Sequence, residues 1–178
     1  MKENQLLWIK KTIIIFFIGA LVGFLYEVIF YYFTENRLNN AGILYGPWLP
    51  IYGTGAILIS LIPLKIKKNP FLLFTFCMIT TGLLEYIIGY IDLYIFNTKL
   101  WDYSGLFLNM DGFVCLRSVL TFALGGLFLV YVIEPFLEKI LKNTKYKKYL
   151  NYLITTLTIL FIIDIIVSNL LHRTPFLY

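Results

Sequence analysis

The chain has 178 residues, of which 60% are hydrophobic and only 14% are charged. Soluble domains carry about 25% charged residues, so this composition, with a mean hydropathy of +0.80, excludes a water-soluble globule. An intrinsically disordered chain is excluded as well, because the apolar content is far too high. The formal net charge is +5, and the lysines that supply it cluster between long apolar runs.

These apolar runs predict an all-α, polytopic transmembrane helix bundle with about five spans. A helix needs about 20 apolar residues to cross roughly 30 Å of hydrocarbon. The predicted spans cover residues 12–33, 42–64, 71–96, 113–136 and 149–171. Together they form a single integral membrane domain over residues 1–178. The first run is too long for the apolar part of a secretory signal peptide, so we expect it to remain as a spanning helix.

The second run is broken in its first half, which reads GILYGPWLPIYGTGA. Proline removes a backbone donor and clashes with the preceding turn, so we expect residues 42–52 to be non-helical or re-entrant and to lead into a partial helix ending near 64. Irregular backbone at membrane depth must be buried in protein or line a watery cavity. Alternatively, the segment lies in the headgroup layer, with Tyr45, Trp48 and Tyr52 as interfacial anchors.

The distribution of basic residues predicts a cytoplasmic N-terminus and an extracytoplasmic C-terminus. Most of them lie before the first span, after the second and after the fourth. They are Lys2, Lys10, Lys11, Lys65, Lys67, Lys68, Lys139, Lys142, Lys145, Lys147 and Lys148. The opposite loops carry only Arg37, Lys99 and Arg173, which is a positive-inside pattern typical of a multi-pass protein of the cell membrane. We expect the basic segment 139–148 to rest on anionic membrane lipids, so the net charge requires no nucleic-acid partner.

Charged side chains inside the spans are the candidate substrate- or ion-binding site. They are Glu27, Glu85, Asp92, Arg117 and Asp164. An isolated charge near the bilayer centre costs about 2.5–3.5 kcal/mol, so we expect these residues to face one another in one polar cluster that opens outward. One arginine cannot neutralise four carboxylates, and the remainder should hold protons or cations. Alternatively, the charges only lock helices together, with Arg117 bridging to Glu27 or Glu85.

Helical spacing places small or hydroxylated residues on the same faces as these charges, which predicts close helix contact there. The four faces are Gly19, Gly23 and Glu27; Gly82, Glu85, Gly89 and Asp92; Arg117, Thr121 and Gly125; and, approximately, Thr156, Asp164 and Ser168.

The WDYS element at 101–104 precedes the fourth span. Trp101 and Tyr103 suit an interfacial aromatic belt, and Asp102 or Ser104 would stabilise a turn. Alternatively, Asp102 and the aromatic residues form a gate or binding platform at the mouth of the cavity. The Asp111-Gly112 pair is typical of a turn and helix start leading into the fourth span.

Several of these segments resemble a family of small bacterial integral membrane proteins described as putative ABC-transporter permeases of type IV. The matching stretches are GFLYEVIF (23–30), GILYGPWLPIYGTGA (42–56), GLLEYIIGY (82–90), WDYSGLFLNMDGFVCL (101–116) and the VYVIEP run ending at Pro135. The resemblance implies a membrane permease or transporter component. This chain departs from the family pattern at Phe113, where relatives tend to carry a basic residue.

A permease of the ABC type would need a separate ATPase subunit, because this chain has no GxxxxGK[ST] phosphate-binding loop. Five helices are few for a stand-alone transporter, so we expect a homo-oligomer or a hetero-assembly. Cys77, Cys115 and His172 stand apart in the sequence, and we expect neither a metal site nor a cofactor. Two other functions stay open, an intramembrane enzyme acting on a lipid-linked substrate and a non-catalytic scaffold or sensor; without a nucleophile–base pair, the sequence favours a non-enzyme.

Overall fold

The computed structural model describes residues 2–36 and 42–171, and within these residues it is helical without β-strands. The helices are α1 (Lys2–Glu35), α2 (Pro50–Ser60), α3 (Leu64–Lys67), α4 (Pro70–Tyr94), α5 (Leu116–Phe128), α6 (Glu134–Lys142) and α7 (Lys147–Leu170). A π-helical turn, Leu129–Ile133, joins α5 to α6, and a 3₁₀ turn, Thr144–Tyr146, precedes α7. Arg37, His172 and Arg173 lie outside the described residues.

Within residues 2–36 and 42–171, four stretches are long and apolar enough to cross a membrane, namely Asn4–Phe33, Pro70–Tyr94, Leu116–Lys142 and Thr144–Leu170. They coincide with the first, third, fourth and fifth predicted spans, and the all-α class is confirmed. The shorter apolar helix, Pro50–Ser60, has 11 residues. At 1.5 Å per residue it is about 16 Å long, too short to cross the hydrocarbon alone. The number of crossings and the orientation stay predictions.

The break in the second run is confirmed. The predicted non-helical stretch, 42–52, was too long: residues 42–49 are non-helical, and α2 begins at Pro50. Proline's fixed φ suits a helix start, and its missing N–H removes no helical hydrogen bond there. The helix ends at Ser60, before the predicted end near 64, because the residue before Pro63 is restricted to extended conformations. The chain then turns into the single turn of α3.

The chain divides into two compact units, one of which comprises residues 55–135. In this unit α4 packs against α5. Asn69 caps α4 by accepting hydrogen bonds from the amides of Phe71 (3.0 Å) and Leu72 (3.2 Å), with Pro70 in the first turn. The α4 face that was predicted to make close contacts does so: an added Cβ at Gly82 would lie 3.1 Å from Val119.

The fourth predicted span begins at Leu116 rather than at 113. Phe113 and Val114 belong to the preceding loop, where the Met110 amide donates to the Val114 carbonyl at 2.9 Å. Cys115 is the N-cap, and it exchanges hydrogen bonds with Ser118. The Asp111-Gly112 pair does form a turn, with φ values of +54° and +75°, but the helix starts beyond it.

The predicted contact face of α5 was wrong. An added Cβ at Gly125 would meet no atom within 4 Å, whereas the buried side carries Ser118, Phe122 and Gly126. The buried face therefore lies one position further round the helix than Arg117, Thr121 and Gly125 predicted. The reason is that Phe122 and the small Gly126 fit the surface of α4, where Cys77 packs against Gly126.

The other unit comprises residues 1–54 and 136–178. Here α1 packs closely on the start of α2, as the spacing of small residues predicted. A Cβ at Gly23 would lie 2.1 Å from Cγ of Tyr52, and one at Gly53 would lie 2.7 Å from Phe16. The Leu49 amide donates to the Ala20 carbonyl at 3.0 Å. These contacts hold the broken segment directly against α1.

Candidate functional site

Glu85 is the most enclosed of the predicted site residues. It lies in the middle of α4 and is only 3% exposed. The Ser118 hydroxyl donates to its Oε2 at 2.7 Å, and the Tyr103 hydroxyl donates to its Oε1 at 3.4 Å. A carboxylate at this depth is tolerated because hydroxyl donors replace the water it has lost.

Arg117 reaches the same cluster through Tyr103. The guanidinium carbon lies 5.6 Å from the centroid of the Tyr103 ring, within the range of a cation–π contact. Glu85, Ser118, Tyr103 and Arg117 are hereafter called the Glu85 cluster. Two of the predicted site residues thus meet at one aromatic side chain, which the sequence analysis had assigned to an interfacial belt or a gate.

The loop from 95 to 115 fixes Tyr103 in this position. The Tyr103 amide donates to the Gly112 carbonyl at 2.8 Å, and the Trp101 indole donates to the Phe113 carbonyl at 2.8 Å. The Phe113 ring packs against Gly89 of α4. Phe113, at which this chain departs from the family pattern, is therefore a buried packing residue.

Asp92 lies two helical turns beyond Glu85 on α4. Its Oδ2 atom is buried and has no hydrogen-bond partner among the residues that the structure describes. Such an atom is rare in native proteins. A proton on the carboxyl group, or a bound cation, would remove the unfavourable burial of a bare charge.

Glu27 belongs to the unit that contains α1, where its Oε1 accepts a hydrogen bond from the Tyr52 hydroxyl at 2.5 Å. Gly23, one turn earlier on α1, leaves room for the Tyr52 ring. The Tyr52 ring thus packs against α1 in this unit, and its role as an interfacial anchor stays a prediction. The prediction that all five charges share one outward-opening cluster stays a prediction.

Asp164 organises the broken segment. Its Oδ1 accepts from the Tyr45 amide at 3.0 Å, and its Oδ2 accepts from the Gly46 amide at 2.9 Å and from the Trp48 indole at 2.6 Å. The Ser168 hydroxyl adds a fourth hydrogen bond at 3.2 Å. The carboxylate therefore satisfies backbone donors that no helix satisfies, which irregular backbone at membrane depth requires. Tyr45 contributes its backbone to this contact, and its side chain is exposed.

Asp102 lies in the α4–α5 loop and forms the turn that the WDYS element predicted. Its carboxylate pairs with the Lys99 ammonium at 2.7 Å and accepts from the Ser104 amide at 2.9 Å. The hydrogen bond from Lys99, followed by those from Ser104, lowers the pKa of Asp102 to about 2. A gating role for Asp102 stays a prediction.

A buried ion pair that was not predicted from the sequence lies in the unit of residues 55–135. Lys67 is 8% exposed and Glu134 is 7% exposed, and the Lys67 ammonium lies 2.9 Å and 3.1 Å from the two carboxylate oxygens. The same ammonium donates to the Ser60 carbonyl at the end of α2 (2.8 Å), and the Tyr131 hydroxyl donates to the Lys67 carbonyl (2.7 Å). Lys67 had been counted among the basic residues that follow the second predicted span, and its burial was not predicted.

A signal for the pair was present in the sequence. Glu134 falls inside the fourth predicted span and immediately precedes Pro135. The π-helical turn Leu129–Ile133 occurs directly before this proline, which has no N–H to continue the helical ladder. Single π-helical turns of this kind occur frequently at functional sites. Lysine in a predicted loop, however, gives no indication that it is buried.

The described residues offer no group of three or more His, Cys, Asp and Glu side chains that could hold a metal ion. Their polar side chains instead form hydroxyl–carboxylate and lysine–carboxylate contacts within apolar helices. Such contacts can bind protons or cations and can hold helices together, and they are typical of polytopic membrane proteins.

Among the residues that the structure describes, four apolar helices are long enough to cross a membrane, which indicates a membrane protein. Residues 14–169 match the family described as "Putative ABC-transporter type IV", and the chain belongs to that family. The match includes every predicted site residue and confirms the resemblance seen in the sequence. Together with the apolar helices it supports a membrane transporter component. No curated protein and no solved structure matches the chain at a significant level.

Proposed function

We propose that this protein is the multi-pass, cell-membrane component of a transporter whose energy comes from a separate ATPase subunit. We further propose that the Glu85 cluster binds a proton or a cationic group on the transport route. Family membership supports the first part, and the chain itself has no phosphate-binding loop for ATP.

The observation that carries the second part is the environment of Glu85. A carboxylate that is 3% exposed inside an apolar helix loses most of its hydration, which favours uptake of a proton or a cation. Asp92, with its buried Oδ2, extends the acidic surface along α4. Tyr103 belongs to the α4–α5 loop and contacts both Glu85 and Arg117, so a change in the charge of Glu85 would be transmitted to that loop.

The broken second segment supports a transport role. Discontinuous helices near the middle of the membrane form substrate sites in many transporters, because their free ends present backbone dipoles to the ligand. Here residues 42–49 and the short helix α2 have this form, with Asp164 holding the irregular part. With the predicted orientation, the route would open to the outside. The described part of the chain has five apolar helical segments, the four of spanning length and α2. This is few for a complete transporter, so we expect a homo-oligomer or a hetero-assembly.

The test uses the complex purified from native membranes, because the transported substrate is unidentified. ATP hydrolysis by the complex is measured as a function of pH for the wild type, for Glu85→Gln and for Glu138→Gln. Glu138 pairs with Lys11 in an exposed position, so Glu138→Gln makes the same chemical change away from the apolar part of the helices. We expect Glu85→Gln to keep its abundance, lose most of its activity and lose the pH dependence.

Full activity of Glu85→Gln with unchanged pH dependence would refute the role of Glu85. If the abundance of Glu85→Gln falls together with its activity, Glu85 has a packing role only, which would favour the non-catalytic scaffold over the proposed binding site. Glu138→Gln should match the wild type in every measurement.

A further inference from the structure

The loop between α4 and α5 exposes large apolar side chains at its tip, residues 105–110. Phe107 is 75% exposed, Leu108 is 64% exposed and Met110 is 61% exposed. Between Tyr103 and Met110 the chain carries no charged residue. The charged residues of the loop, Lys99, Asp102 and Asp111, lie on either side of this stretch.

The tip is held in one conformation by its own hydrogen bonds. The Asn109 side-chain amide donates to the carbonyls of Ser104 (3.1 Å) and Leu106 (2.9 Å), and its oxygen accepts from the Gly112 amide (3.3 Å). The Leu116 amide donates to the Phe107 carbonyl at 3.3 Å. The backbone that carries the exposed apolar side chains is therefore fixed by hydrogen bonds, and their exposure does not come from a loosely held loop.

Leu108 has a φ of +50°, in the left-handed region that residues other than glycine seldom adopt. A bulky residue keeps such a conformation only where its surroundings enforce it. Here the bonds of Asn109, the next residue, enforce it. The outcome is that Leu108 is exposed beside Phe107 and not folded back onto the loop.

We propose that the tip, residues 105–110, inserts into the membrane interface and is covered by lipid at the boundary between headgroups and acyl chains. The loop follows Pro70–Tyr94 and precedes Leu116–Lys142, both long and apolar enough to cross a membrane. Its two ends therefore lie at the bilayer surface, where lipid is the neighbour always present. An uncharged group of Phe, Leu and Met next to Trp101 and Tyr103 suits this boundary.

Insertion of the tip would also affect the Glu85 cluster, and this part of the inference rests on the proposed transport function. Tyr103 lies two residues before the tip and donates to Glu85. Lipid contact at the tip would hold Tyr103 against Glu85, so the lipid surface would help to keep the Glu85 cluster together.

The test measures the surroundings of single nitroxide labels in lipid nanodiscs. Phe107→Cys and Met110→Cys are made in a background in which Cys77→Ala and Cys115→Ser remove the native thiols; serine is itself a favourable N-cap at 115. Ser104→Cys labels the polar base of the loop, and Ile87→Cys labels an exposed position within the apolar stretch of α4. Power saturation gives the accessibility of each label to oxygen, which concentrates in lipid, and to a nickel chelate, which stays in water.

We expect the oxygen-to-nickel ratio at 107 and 110 to be several-fold higher than at 104 and close to the ratio at 87. Ratios at 107 and 110 equal to that at 104 would show a water-exposed tip and overturn the proposal. Shielding of both labels from both reagents would show that protein covers the tip and would also overturn it. A water-like ratio at 87 would mean that α4 does not cross the membrane, in which case the proposed transport route fails as well.

Discussion

At the scale of single residues, the Lys67–Glu134 pair is where burial and charge conflict most directly. Each buried ion loses several kcal/mol of hydration, and the short contacts to both carboxylate oxygens and to the Ser60 carbonyl compensate. Glu134→Gln would leave the Lys67 ammonium without its counter-charge. We predict a loss of about 3–5 kcal/mol in the free energy of unfolding, measured by denaturant titration in mixed micelles.

The double variant Lys67→Met with Glu134→Leu is the matched control. It removes both charges and keeps the volume, so its stability should return close to that of the wild type, since apolar replacement of a buried pair is often neutral. If Glu134→Gln unfolds like the wild type, the pair is not buried in the membrane-bound protein.

Asp102 provides the prediction for pH. Its pKa is lowered from 3.8 to about 2, so the folded loop binds this proton less readily than the unfolded chain does. The stabilisation by Lys99 and Ser104 is therefore fully present above the ordinary pKa of about 3.9 and is lost as the pH falls through about 2. Because the pair is exposed, its contribution to stability is small.

The titration of the Asp102 carboxyl carbon, followed by NMR, checks this directly. We expect a midpoint near 2 in the wild type and a midpoint raised toward 3.8 in Lys99→Met, because the first cause of the shift is the hydrogen bond from Lys99. A wild-type midpoint that is already at 3.8 would contradict the contact.

At the scale of elements, the contact between α1 and the start of α2 depends on Gly23. A methyl group there would lie 2.1 Å from Cγ of Tyr52, a ring atom that cannot move aside without displacing the whole side chain. Gly23→Ala should therefore reduce stability by about 1–3 kcal/mol through overpacking, measured by thermal unfolding in detergent. It should also weaken the hydrogen bond from Tyr52 to Glu27.

Gly125→Ala is the control for this prediction, since the space around Gly125 is open. Alanine is favoured over glycine in a helix by up to about 1 kcal/mol, so this variant should be neutral or slightly more stable. Equal losses in the two variants would argue against the close contact at Gly23.

The broken segment provides a second prediction at this scale. Asp164→Asn keeps the shape of the side chain but turns an NH₂ group toward backbone or indole donors that now reach a carboxylate oxygen. We expect the free energy of local opening of the segment to fall by about 1–3 kcal/mol. This would be measured as faster hydrogen exchange at the amides of Tyr45 and Gly46. Ser168→Ala removes only one of the four hydrogen bonds and should have a smaller effect; unchanged exchange in Asp164→Asn would contradict the assignment.

These elements also show how far the sequence could predict the structure. Long apolar runs identify the spanning helices because burial in hydrocarbon demands them, and clustered prolines identify the break before α2 because proline cannot continue a helix. The backbone partners of Asp164, the amides of Tyr45 and Gly46, could not be predicted, because they lie more than a hundred residues away in the sequence. The buried face of α5 was misplaced by one position, since spacing alone does not tell which side α4 covers. Lys67 was missed because a lysine in a short loop is ordinarily exposed.

At the scale of the whole molecule, the family match and the polar contacts inside apolar helices support one account. Both support a membrane transporter component, and we propose that a separate ATPase supplies its energy while Glu85 binds a proton or cation. The sequence has no GxxxxGK[ST] phosphate loop, so ATP-driven transport by this protein would need a separate ATPase subunit.

Copurification from native membranes followed by mass spectrometry tests this claim most directly. The protein is tagged, extracted in mild detergent and isolated alongside a tagged, unrelated membrane protein as control. The account predicts a subunit with a GxxxxGK[ST] phosphate loop in a fixed ratio to this chain and absent from the control. Isolation of this chain without any such ATPase, from membranes in which it is abundant and folded, would contradict the account.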